Sequence, residues 1–142
     1  MTNASEQFGQ LQQKVGEAQQ NVEAAAAEGK QQLEARVGTA RQSADEEVAK
    51  LRASAQQKSG ENKAHVSDLQ QRWGDHVADV RHQIDQRRGE RDVRKAERHA
   101  EWAEGYAATA IEIAVAAIEE AEYAVLDAGL ARLEADALAG AA

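Results

Sequence analysis

The side chains in this chain with the richest chemistry are four histidines, His65, His76, His82 and His99, set among 25 carboxylates. His76, Asp79 and His82 lie three apart, so on a helix they spread over about a third of the circumference. A helical metal pair needs i and i+4 on one face. The trio therefore reads as surface side chains of a charged helix. A di-iron bundle needs Glu-x-x-His on two helices and a glutamate on two more. No Glu-x-x-His occurs here, and Asp79-x-x-His82 stands alone. There is no cysteine, which excludes disulfides, thiolate metal sites and cysteine nucleophiles. The glycines are scattered singly, with no phosphate-binding loop, and no Ser-His-Asp arrangement has elements to hold it. No catalytic, cofactor-binding or metal-binding residue is assigned, and the expectation is a protein that is not an enzyme.

Arginine makes the next pattern. Arg87, Arg91, Arg94 and Arg98 follow at spacings of 4, 3 and 4. They occupy a line that apolar residues hold earlier in the chain. Arginine stems cover apolar surface while the guanidinium reaches a carboxylate. In a helical hairpin turning at Gly60, these arginines fall opposite Glu34, Glu28 and Glu23. Residues 87–98 hold six basic and three acidic side chains and no aromatic one, so a nucleic-acid stripe is the poorer reading. The net charge is −8, and residues 104–142 alone carry one basic and eight acidic side chains. That acidity disfavours nucleic acid and anionic lipid as partners of the C-terminal third.

These side chains must be positioned by helices. Proline is absent, and Ala, Glu, Gln and Arg, all good helix formers, are abundant. Leu11, Val22, Leu33, Ala44, Ala55, Val66 and Val77 lie eleven apart. Val15, Ala26, Val37 and Val48 form a second set, and Ala18, Gly29, Ala40, Leu51, Asn62, Trp73 and Ile84 a third. Eleven residues over three turns is close to the period of a straight helix, so the stripe runs nearly along the axis. Ser59-Gly60-Glu61-Asn62 is the best loop candidate. One long amphipathic helix is expected over 1–60 and a second over 61–142, with a further break near 104–105. A reversal at Gly60 pairs positions whose numbers sum to about 122, which brings Leu51 near Leu69 and Trp73. An unbroken helix through Gly60 is the rival, since one glycine costs only about 1 kcal/mol against alanine.

The second seam is alanine. Ala100, Ala103, Ala107, Ala110, Ala114, Ala117, Ala121, Ala124, Ala128, Ala131 and Ala135 follow strict 3-4 spacing, and Leu138 continues it. This is a heptad seam with alanine at each a and d position. Ile111, Ile118 and Val125 flank it on one side, Tyr106 and Ile113 on the other. Alanine leaves no bulky knob, so a partner helix can approach closely. The seam outruns the partner available in its own chain. The expectation is therefore a homo-oligomer, at least a dimer, with residues 100–138 at its centre and the helices antiparallel. The fold class expected is all-α: an elongated long-helix hairpin or coiled coil whose helices assemble into an oligomeric bundle.

In pattern, this seam resembles the close-packed alanine coiled coils called Alacoils. Over residues 8–84, period and composition also resemble the repeats of late-embryogenesis-abundant proteins, apolipoproteins and granule-coating phasins. No residue motif of those families is matched, so no site is carried over. The leading functional expectation is a structural or interaction protein that scaffolds, spaces or polymerises, with itself or another protein as partner. The alternative is an amphipathic surface coat or stress protectant. A lipid surface is a weak fit, because the polar face is not predominantly basic. Met1-Thr2-Asn3-Ala4-Ser5 lacks a signal peptide's features, and the apolar stretch from Gly105 to Ile118 is too short to span a bilayer, so a soluble cytoplasmic location is expected.

Overall fold

The structure, a computed structural model, describes residues 2–141, with backbone alone for Thr2, Asn3 and Ala141. Met1 and Ala142, the outer ends of the two expected helices, lie outside the described residues. The chain folds into four α-helices: α1 (Thr2–Ala25), α2 (Lys30–Gln57), α3 (Lys63–Arg87) and α4 (Val93–Ala141). Among the described residues there is no strand. No helix is long and apolar enough to cross a membrane.

The first expected helix is divided in two. After α1 the backbone closes with turns from the Ala27 N–H to the Ala24 carbonyl (3.3 Å) and from the Glu28 N–H to the Ala25 carbonyl (3.1 Å). Gly29 is then extended at ψ 175°, and its carbonyl accepts the first bond of α2 from Leu33 at 2.9 Å. Glu28 is held beside α2 by Arg36, which fixes the bend by charge as well as by backbone.

The chain turns again at Lys58–Asn62. Gly60 adopts φ 97°, a conformation that side chains with a Cβ rarely take. The second expected helix is also divided, at Arg88–Asp92. Gly89, at φ 81°, follows the last residue of α3 as a helix-terminating glycine. The Glu90 carboxylate accepts from the N–H groups of Arg91 (3.1 Å) and Asp92 (3.0 Å), satisfying donors just ahead of α4. The break expected near 104–105 is absent, because α4 runs through Gly105 without interruption.

Two compact units result. One comprises residues 23–93, with α2 and α3 antiparallel. The other comprises residues 1–22 and 94–142, carrying most of α1 and nearly all of α4. Burial is thin: Ala55 at 2% exposure and Val80 at 4% are the buried apolar side chains, both in the hairpin.

Candidate functional site

The hairpin interface is built from the eleven-residue stripe and from charge. Ala55 is buried on α2, where small size permits close approach, and Val48 is half-buried one step along the same face. On α3, Val66, Val77 and Ile84 are half-buried around the buried Val80. Leu51, Leu69 and Trp73 line, together with Val66, one shallow apolar groove. All three remain exposed, as do Leu33 and Val37 on α2. On α1, Leu11 is half-buried while Val15 and Val22 are exposed. Val80 lies outside the expected seam, although it continues the 4-3-4 run of Trp73, Val77 and Ile84.

Two cross-helix ion pairs set the register. The Arg41 guanidinium donates to Asp85 as a fork, Nη1 to Oδ1 at 2.6 Å and Nη2 to Oδ2 at 2.9 Å. Arg81 Nε lies 3.5 Å from Asp45 Oδ1. Arg41 and Asp45 are four apart on α2, and Arg81 and Asp85 four apart on α3, so each helix presents one cation and one anion on the same face. Both pairs sum to 126, four more than the sequence suggests. The hydrogen bonds from Arg41 hold the Asp85 carboxyl below its ordinary range, helped by the nearby charges of Arg41, Arg88 and Arg81. The same bonds hold the Arg41 guanidinium above its ordinary value.

Two of the glutamates expected opposite the arginine stripe have partners close by in sequence. Glu28 is paired with Arg36 and Glu34 with Lys30, at 3.8 Å in the latter case. The stripe itself is cut by the break at Arg88–Asp92. Arg87 ends α3, Arg91 lies in the break, and Arg94 and Arg98 fall in the first turns of α4. The histidine trio is occupied with packing and helix surface: the His76 ring lies 5.5 Å from Trp73, and Asp79 accepts from Gln83 at 3.0 Å. Among the described residues no group of three metal-capable side chains comes together.

On α4 the rings of His99, Trp102 and Tyr106 form a ladder, with centroids 6.1 and 5.7 Å apart and planes within 19° and 10°. At the start of the alanine seam Ala103 and Ala110 are half-buried. Ala121, Ile118 and Val125 are half-buried further along, and Ala100, Ala107, Ala114, Ala117, Ala124, Ala128 and Ile111 are exposed. A second line lies on the face of α4 opposite the seam. Tyr123, Leu126, Leu130 and Leu133 follow at 3, 4 and 3, and all four are exposed, Leu126 at 62% and Leu133 at 69%. The abundance of alanine hides this line in the sequence, yet its spacing was there to be read. No family model matches the chain, and neither a curated protein nor a solved structure is similar to it.

Proposed function

We propose that this is a non-enzymatic structural protein that self-associates through α4, serving as a scaffold, spacer or polymerising component. The observation that carries the reading is the uncovered apolar surface of α4. Ile111 is 65% exposed, and Ile113, Val115, Leu126, Leu130 and Leu133 are exposed with it. Exposed apolar surface of this kind, with Ile111, Val115, Leu126, Leu130 and Leu133 on one side of the helix and Ile113 on the other, marks association sites in soluble proteins. Fully burying one such side chain contributes about 1.5–3 kcal/mol, so a few of them suffice to drive assembly. On the opposite face the alanine seam lets a second helix approach closely, so α4 offers two separate lines for association.

Light scattering coupled to size-exclusion chromatography, over a concentration series, tests this. The expected mass is a discrete multiple of one chain. Ala114→Lys with Ala117→Lys, at two exposed seam positions, is expected to return it to one chain, because lysine keeps helix propensity while charging the seam. Leu126→Lys with Leu130→Lys asks the same of the leucine line. A wild-type monomer at every concentration would remove the reading and leave the surface-coat alternative.

A further inference from the structure

The α2–α3 hairpin carries a signature that a hairpin alone does not need. Several side chains of the two facing stripes recur at whole multiples of eleven through the turn. Ala55 on α2 is in step with Val66 and Val77 on α3, Val48 with Gln70 and Arg81, and Arg41 with Gly74 and Asp85. A loop is free to shift helical phase between the helices it joins. Here the phase passes unchanged through Lys58–Asn62, as it would if the five residues were helical.

The turn itself is weakly held. Lys58, closing α2, donates its N–H to the Ala55 carbonyl and Lys63 to the Gly60 carbonyl, both at 3.3 Å, while Asn62, opening α3, makes no side-chain capping bond and has φ −87°, ψ −1°. Proline, which would forbid helix here, is absent from the turn. Lys58 at ψ 146° and Gly60 at φ 97° depart from helix. Straightening them would give intrahelical partners to the carbonyls and N–H groups left at the two helix ends.

From this geometry we infer that the hairpin exchanges α3 between two copies of the chain, through one unbroken helix from Lys30 to Arg87. The fit is built in because the contacts are antiparallel: both ion pairs sum to 126, and Leu51 with Leu69 and Trp73 sums to 120 and 124. Arg41 of each copy meets Asp85 of the other, Asp45 meets Arg81, and Leu51 meets Leu69 and Trp73, each made twice. The two helices, about 87 Å long at 1.5 Å per residue, cross at their midpoints near residue 63. Every hairpin contact is retained, so the exchange costs association entropy and little else, the usual condition for swapping. This surface is separate from α4, and the inference does not depend on the association proposed there.

The experiment uses the full chain, whose lack of cysteine makes engineered thiols unique. Arg41→Cys with Asp85→Cys, treated with a short bismaleimide, reports which chain supplies the partner. On a denaturing gel the closed hairpin gives one-chain mass and the exchanged form two-chain mass. An α4 dimer of closed hairpins still gives one-chain mass, so the two associations are told apart. Gly60→Ala shifts the balance. A Cβ at Gly60 meets nothing within 4 Å, so the substitution acts through backbone preference alone. Alanine is favoured over glycine in a helix by about fivefold per chain and is strained at positive φ, so the two-chain product is expected at concentrations at least about tenfold lower. Ser59→Pro has the opposite effect: it breaks the long helix, and the extended Lys58 before it suits a proline, so only one-chain product is expected. One-chain product from Gly60→Ala up to the highest concentration, with helix content intact by circular dichroism, would overturn the inference.

Discussion

At the scale of single residues, the Arg41–Asp85 fork and the buried Val80 specify the hairpin. Asp85 is depressed, so its contribution is present at neutral pH and down to the ordinary aspartate range near pH 4, and is lost as pH falls from there through the depressed value. Arg41, raised further, stays charged throughout and adds no pH dependence of its own. Asp85→Asn is therefore expected to lower the urea midpoint slightly at pH 7 and by less near pH 2, a small effect because the pair faces solvent. Equal losses at both values would show that the carboxylate's charge is not what matters. Val80→Ala is expected to cost about 1–2 kcal/mol in the same titration, since it removes two methyls from the best-packed point of α3. Sequence spacing exposes the apolar line but not this ranking. Burial at Val80 depends on the 126 register, and that is set by two Arg-Asp pairs which resemble ordinary i,i+4 surface pairs until the partner helix is in place.

At the scale of elements, periodicity revealed the helices and concealed most of their ends. The turn at Gly60 could be read because serine, glutamate and asparagine surround the glycine. Gly29 and Gly89 also interrupt helices, while Gly9, Gly16, Gly38, Gly74 and Gly105 do not. Residue type does not separate these groups. What separates them is local bonding, Arg36 on Glu28 at one break and Glu90 on the following N–H groups at the other. The eleven-residue stripe crosses the first break at Gly29 unaltered, so pattern could not locate it. Gly105 lies inside α4 with open space around its Cα. Gly105→Ala is accordingly expected to stabilise α4 by about 1 kcal/mol, read as a higher melting midpoint by circular dichroism. A lower midpoint would mean that a partner helix packs against this glycine and needs it small.

At the scale of the whole molecule, the proposed self-association would couple the stability of these helices to assembly. Isolated helices gain most of their stability from packing an apolar face rather than from propensity. Here α4 spans 49 residues with none of its side chains fully buried, and its charges oppose its own dipole: no acidic residue in the first turn and no basic one in the last. Covering by a second chain supplies what the single chain leaves open. Anything that binds the folded form and not the unfolded one raises stability by mass action, so the melting midpoint is expected to rise with protein concentration. The two associations contribute separately. Ala114→Lys with Ala117→Lys is expected to flatten the dependence that comes from α4, and Ser59→Pro the part that comes from the exchanged hairpin. The charged pair with the proline together is expected to give a midpoint that no longer moves with concentration. If the wild type already melts at one temperature across a hundredfold range, the uncovered face of α4 is tolerated by the single chain and self-association is not its purpose.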